Sequence, residues 1–90
     1  MPTNTEAAIL VRLIDPEGAG LPPEVARCIL RLDFPPADRD RMDELAARAR
    51  EGTITADEAA EQESYVRTGH LLALLQSKAR TSLKRGGFAA

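Results

Sequence analysis

The chain alternates between segments with helical periodicity and short segments rich in proline or glycine. Four segments place apolar residues at the i, i+3, i+4, i+7 spacing of an amphipathic helix. The first extends from about Thr5 to Ile14, with Asn4 as its predicted N-cap, and it ends at the Asp15-Pro16-Glu17-Gly18 turn. Its apolar stripe consists of Ala7, Leu10, Val11 and Ile14.

Prolines mark the next two helix starts. Pro22-Pro23 opens the second helix, because proline suits the first turn, where the amide has no helical partner. The Phe34-Pro35-Pro36 corner ends that helix and begins the third. The stripes expected to face the core are Val25, Cys28, Ile29 and Leu32 on the second helix and Met42, Leu45, Ala46 and Ala49 on the third.

The fourth helix is predicted to be much longer than the others. Gly52 stops the third helix, and the sequence from Thr55 to Glu58 is typical of a capping box. Periodicity then continues through Gly69 to about Arg85, where Gly86-Gly87 ends it. At 1.5 Å per residue this helix would measure about 45 Å. We therefore predict one all-α domain over residues 1–90, in which three shorter helices pack on a long C-terminal helix. Its ordered core spans about residues 5–85, and its ends are flexible.

Composition supports this prediction and narrows the functional classes. The chain has 90 residues, 43% of them apolar, and its aromatic residues are Phe34, Tyr65 and Phe88. An aliphatic core favours helices over sheets. The net charge of −2 and the single cysteine argue against general attraction to nucleic acid and against an internal disulfide. No secretion signal or membrane span is recognisable, so the cytoplasm is the expected location.

Charge is divided unevenly along the second half of the chain. Residues 37–64 carry nine acidic and four basic side chains, whereas residues 65–85 carry five basic and no acidic ones. Complementarity to the helix dipole and a solvated face would explain this pattern without any partner. Alternatively, the basic half of the fourth helix attracts an acidic partner.

A helical wheel separates two stripes on the fourth helix. The predicted core stripe contains Tyr65, Thr68, Leu72, Leu75, Ala79 and Leu83. A second stripe about a third of a turn away combines leucines with cations, and its members are Arg67, Leu71, Leu74, Lys78 and Arg85. This second stripe is our candidate partner-binding surface. In the alternative interpretation, the other helices simply bury these leucines.

The sequence gives only weak indications of a catalytic, metal-binding or phosphate-binding site. Gly52, Ile54 and Glu58 match a calcium-binding loop, but two of its first three ligand positions are alanines. His70 is the only histidine, and Cys28 is expected to be a buried, inert thiol on the second helix. The sequence also lacks a phosphate-binding glycine loop. We predict no catalytic residue, no metal and no cofactor.

Several separated stretches resemble a group of short uncharacterised all-helical proteins from cyanobacteria and planctomycetes. They are Leu32-Asp33-Phe34-Pro35-Pro36, Arg41-Met42, Glu51-Gly52-Thr53-Ile54-Thr55, Tyr65-Val66-Arg67 and Leu71-Leu72-Ala73-Leu74-Leu75-Gln76-Ser77-Lys78-Ala79-Arg80. The resemblance covers roughly residues 20 to 84. Genes of that group tend to lie beside genes for HNH-type nucleases. The resemblance therefore implies an accessory, immunity or antitoxin-like role toward a nuclease.

Three hypotheses for function follow. The leading one is a non-catalytic module whose fourth helix docks a protein partner, for which the resemblance implies an HNH-type nuclease. The second is a structural homodimer in which two fourth helices pair. The third is a small DNA-binding regulator that uses the basic end of the fourth helix, where Gln76, Lys78, Arg80, Lys84 and Arg85 lie.

Overall fold

A computed structural model describes residues 4–86, which contain four α-helices and no strand. The helices are α1 (Glu6–Ile14), α2 (Pro23–Leu30), α3 (Pro36–Glu51) and α4 (Ala56–Arg85). The predicted all-α architecture of three shorter helices packed on a long C-terminal helix is confirmed, since α4 packs with α2 and with α3. The ends predicted to be flexible, and Gly87 of the predicted stop, lie mostly outside the described residues.

The chain forms two compact units that share α4. Unit 1 consists of Met1–Leu32 together with Leu71–Ala90, and unit 2 consists of Asp33–His70. Unit 1 therefore contains α1, α2 and the C-terminal part of α4, whereas unit 2 contains α3 and the N-terminal part of α4.

Helix ends follow the predicted local chemistry with one exception. The Thr55 amide donates to the Glu58 carboxylate at 3.0 Å, and the Glu58 amide donates to the Thr55 hydroxyl at 3.1 Å, which confirms the capping box. Gly52 ends α3 with a φ of 73°, a conformation that favours glycine. The predicted cap of α1 is wrong, because the Thr5 hydroxyl rather than Asn4 accepts from the Ala8 amide.

Unit 2 is a helical hairpin stabilised largely by charged side chains. Leu45 of α3 is fully buried. The Arg41 guanidinium donates to both carboxylate oxygens of Glu61 at 2.8 Å, in the bidentate geometry that makes such pairs strong. At the end of the hairpin, the Tyr65 hydroxyl donates to Asp38 at 2.7 Å, and its ring meets Phe34 edge-on. These contacts join α3 to α4 on the N-terminal side of Leu45, and the ion pair between Arg48 and Glu58 joins them on its C-terminal side.

Unit 1 has a small aliphatic core at the contact between α2 and α4. The buried residues of this core are Leu21, Ala26, Ala79 and Leu83. Beside it, the Gln76 amide donates to the carbonyls of Ile29 at 3.2 Å and Leu32 at 2.9 Å. Both carbonyls lie at or just beyond the C-terminal end of α2, where a helix has few amides left to pair with its carbonyls, and that of Ile29 also accepts from the Leu32 amide at 3.1 Å. The side chain of Gln76 therefore fixes the C-terminal end of α2 on α4.

The predicted core face of α2 is correct for Ile29, which packs against the core, and wrong for its other three residues. Val25 and Leu32 are 42% and 51% exposed, Cys28 is also exposed, and Ile29 is half-buried. The buried residue of α2 is Ala26, which clusters with Ala79 of α4. Two alanines allow close approach of the helices, and Gln76 and Ser82 fix the chain on either side of Ala26. These contacts turn the larger apolar residues outward.

Candidate protein-binding surface

Four of the five residues predicted to bind a partner belong to unit 1, and their surroundings differ. Leu74 is 38% exposed and Arg85 is exposed near the end of α4, whereas Leu71 and Lys78 are half-buried. Leu74 and Arg85 are eleven residues apart, which is close to three helical turns, so they share one face of α4. Arg67 belongs to unit 2, where it is exposed, and its guanidinium lies 3.8 Å from Glu63.

Lys78 has an intramolecular role that the sequence did not reveal. Its ammonium group lies 2.8 Å from the Asp15 carboxylate, which is buried and also accepts from the Gly20 amide at 3.1 Å. The hydrogen bond from Lys78 is the main reason that the pKa of Asp15 is lowered, and the Gly20 amide adds to it. Lys78 therefore fixes the turn after α1 on α4. No local pattern predicts this pair, because its members are far apart in the sequence.

One helical turn beyond Lys78, the side chain of Ser82 binds both backbone polar groups of Leu21. The Ser82 hydroxyl accepts from the Leu21 amide at 2.6 Å and donates to the Leu21 carbonyl at 3.2 Å. Together with Lys78, Thr81 and Arg85, it lines a cleft of about 400 Å³. Asp15, Lys78 and Ser82 are all engaged within the chain, so the cleft offers Arg85 and Thr81 as its available polar side chains.

Exposed apolar side chains concentrate in unit 1. Among residues 4–86, seven large apolar side chains are exposed, and six of them belong to this unit. They are Ile9, Leu13 and Ile14 on α1, Val25 and Leu32 on or just after α2, and Leu74 on α4. Leu13 is 74% exposed. Ile9 and Leu13 are absent from the predicted stripes, although their spacing of four residues gives α1 a second apolar stripe.

The residues predicted to contact DNA are only partly available. Of the five, Gln76 donates to backbone carbonyls at the end of α2 and Lys78 is paired with Asp15. Arg80, Lys84 and Arg85 are exposed. A side chain already engaged within the fold must break those contacts before it can reach a base or phosphate. Arg80, Lys84 and Arg85 are therefore the members of this set that could reach a partner without losing a contact within the described residues.

The side chains considered for catalysis or metal binding lie at separate places in the described part of the chain. Cys28 is exposed rather than buried, which corrects the expectation from the sequence, and the Arg31 guanidinium donates to its sulfur at 3.2 Å. His70 is exposed. Glu58, in the turn with calcium-like spacing, lies against Arg48 and caps α4. Within residues 4–86, no group of three or more histidine, cysteine or acidic side chains could hold a metal ion.

Comparison of the chain with protein-family models, with curated proteins and with solved structures finds no match. None of the helices within residues 4–86 combines the length and apolar content needed to cross a membrane. The geometry of unit 1 is therefore the main guide to function.

Proposed function

We propose that this protein is a non-catalytic helical module that binds another protein through unit 1. The observation that carries the proposal is the group of six large apolar side chains that unit 1 leaves exposed. Exposed apolar surface commonly marks an interaction site in a small globular protein, and unit 1 holds six of the seven large apolar side chains that residues 4–86 expose. Because the core of unit 1 is small, covering part of this surface would also stabilise the fold.

The docking surface that we propose centres on one face of α4. Leu74 supplies an exposed apolar anchor, and Leu71 lies next to it on the helix with part of its side chain accessible. Arg85 adds a cation on the same face. Lys78 contributes by fixing the turn after α1, so it supports this surface through Asp15 rather than by direct contact. Arg67 remains a predicted contact in unit 2.

The positive charge of residues 65–85 indicates which kind of partner surface would bind them. Residues 65–85 contain five cations and no acid, and the exposed members Arg80, Lys84 and Arg85 have no carboxylate partner within the described residues. The matching surface on a partner would combine acidic and apolar side chains. The resemblance to proteins encoded beside HNH-type nucleases makes such a nuclease our proposed partner, with the module acting as an accessory or immunity-type protein.

The experiment compares Leu74→Asp with Ala73→Asp in titration calorimetry against a purified HNH-type nuclease from the same organism. Both positions are exposed on α4, so both variants add the same charge while preserving helicity. Ala73 faces about 100° away from Leu74. We expect Leu74→Asp to weaken binding at least about tenfold, as at an interface anchor, and Ala73→Asp to change it less than about twofold.

Two results would contradict the proposal. The wild-type protein could fail to bind the nuclease, which would remove the proposed partner. Alternatively, Leu74→Asp and Ala73→Asp could weaken binding equally, which would move the contact away from the Leu74 face.

A further inference from the structure

An exposed apolar seam follows one face of α2. Val25, Cys28 and Leu32 stand at i, i+3 and i+7, which are successive a, d and a positions of a heptad. Leu32 lies just beyond α2, but its amide donates to the Ile29 carbonyl at 3.1 Å, so the helical turn continues to it. The side chains border a groove of about 270 Å³ that Glu24 and Ile29 complete.

This seam is on the side of α2 that is turned away from α4. Ala26 faces α4 and is fully buried, whereas Val25 and Leu32 are about half exposed. A helix that is apolar on two faces is normally covered on both. Within the described residues, α4 covers only one of them.

Charged residues beside the seam indicate what covers the other face. Glu24 and Arg31 are seven residues apart, so they occupy the same flank of the seam about 10 Å apart along the helix. Glu24 has no ion-pair partner among the described residues, and Arg31 contacts the Cys28 sulfur. These are the g positions of the heptad, which face each other when two such helices pack antiparallel.

A second copy in antiparallel orientation satisfies both charges. It would bring Glu24 of each copy beside Arg31 of the other, forming two equivalent ion pairs around a two-fold axis. Val25 would then lie near Leu32 of the second copy, with the two Cys28 side chains near the axis. A parallel copy would lack these pairs and would align the two helix dipoles unfavourably.

We propose that two copies of this chain associate through antiparallel α2 helices packed along the Val25, Cys28 and Leu32 seam. The seam shares no residue with the proposed docking face on α4, so each proposal can fail without the other. A seam of this length is smaller than a standard interface, so the dimer is expected to be weak and to depend on concentration.

The test measures the dimer dissociation constant by sedimentation equilibrium under reducing conditions. Glu24→Arg and Arg31→Glu each place like charges together, and we expect each variant to weaken dimerisation about tenfold. The double variant E24R/R31E restores opposite charges in the same geometry, and we expect its constant to return to within about threefold of wild type. Glu17→Arg, an exposed change in the turn after α1, is the control for altered net charge.

Cross-linking supplies a second measurement. Because Cys28 is the only cysteine, a short bis-maleimide can join two chains only through this residue. We expect the cross-linked yield to follow the same order as the dissociation constants. The yield of each variant is compared with the rate at which a monofunctional maleimide modifies its thiol, since Arg31 lies beside the sulfur.

Three results would overturn this proposal. The chain could remain monomeric at concentrations up to about 1 mM. The double variant could dimerise as poorly as the single variants. Finally, a dimer insensitive to both charge reversals but lost in Leu74→Asp would place the second copy on α4, as the α4-pairing hypothesis expects.

Discussion

The two units are stabilised in different ways. Unit 2 is one continuous segment in which a bidentate ion pair and a tyrosine–aspartate hydrogen bond join α3 to α4. Unit 1 is assembled from two distant segments and depends on a small aliphatic core and on α4 side chains that bind backbone groups. Unit 2 exposes one large apolar side chain among the described residues, Val66, and unit 1 exposes six.

This difference between the units indicates where contact with a partner would gain the most free energy. Charged side chains that already have partners in unit 2 gain little from a further contact, since surface ion pairs are individually weak. Exposed leucine, isoleucine and valine side chains gain from each square ångström removed from water. The apolar contacts of both proposed interfaces therefore lie in unit 1.

The largest expected effect comes from the buried leucine of each unit. Leu45 in unit 2 and Leu83 in unit 1 are the largest fully buried side chains among the described residues. Each leucine-to-alanine change should lower the free energy of unfolding by about 2–5 kcal/mol, because it removes buried methyl groups and leaves a cavity. Thermal unfolding followed by circular dichroism measures both changes.

Leu13→Ala is the matched control for that comparison. Because Leu13 is 74% exposed, its truncation should change stability by less than about 0.5 kcal/mol. A loss as large as that of Leu83→Ala would mean that Leu13 is covered in solution, and the contrast between exposed and buried leucines in unit 1 would then fail.

Ser82→Ala should have the next largest effect and should act on unit 1 alone. The change leaves the amide and the carbonyl of Leu21 without their side-chain partner in a part-buried position. Stability should fall by about 1–3 kcal/mol, which is typical for a buried polar group that loses its partner. Ser77→Ala, an exposed serine-to-alanine change on the same helix, controls for helix propensity in urea titrations. Equal stability of the two variants would show that the Leu21 contact contributes nothing.

The pH dependence of stability tests the contact between Asp15 and Lys78 in unit 1. The pKa of Asp15 is lowered in the folded protein, chiefly by Lys78, so its ionised form stabilises the fold. That contribution is complete above the ordinary aspartate pKa of about 3.9 and is lost as pH falls through the lower folded value. Asp15→Asn should melt at a lower temperature than wild type at pH 7, and the gap should narrow below about pH 4. If the difference in melting temperature between Asp15→Asn and wild type did not change with pH, the ionised form of Asp15 would not be what stabilises the fold.

The smallest expected effect is a gain in stability from a substitution in unit 2. Gly69 lies within α4, and a Cβ atom added there would meet no atom within 4 Å. Gly69→Ala should therefore stabilise the protein by about 0.5–1 kcal/mol through helix propensity. Gly52→Ala is the opposite control, because a φ of 73° disfavours alanine and should lower stability by about 1 kcal/mol. Differential scanning calorimetry would resolve both shifts, which correspond to roughly 4–8 °C per kcal/mol at this chain length.

Features determined by neighbours in the sequence could be predicted. The proline starts of α2 and α3, the Gly52 stop and the Thr55–Glu58 capping box all depend on residues within a few positions of each other. The length of α4 follows from the absence of any strong helix breaker before Gly86. These local interactions are sufficient to define the four helices.

Features determined by distant residues could not be predicted in the same way. The most apolar face of α2 was assigned to the core, but the contact of Ala26 with Ala79 and the hydrogen bonds of Gln76 select another face. The sequence predicts that Lys78 contacts a partner because its stripe combines leucines with cations, and Asp15, which binds it, is too remote in the sequence to be recognised. Whether Leu74 and Arg85 bind a partner remains a prediction.

The discontinuous composition of unit 1 has a consequence for the order of folding. Its defining hydrogen bonds join residues 47 positions apart for Gln76 and Ile29 and 61 apart for Ser82 and Leu21, whereas Arg41 and Glu61 of unit 2 are 20 apart. The entropy lost on closing a loop grows with its length, and contacts between remote residues slow folding. We therefore expect the α3–α4 hairpin to form first during folding and to shorten the chain that must close before α2 reaches the end of α4. Until that step, the apolar side chains of α1 and α2 have no internal partner.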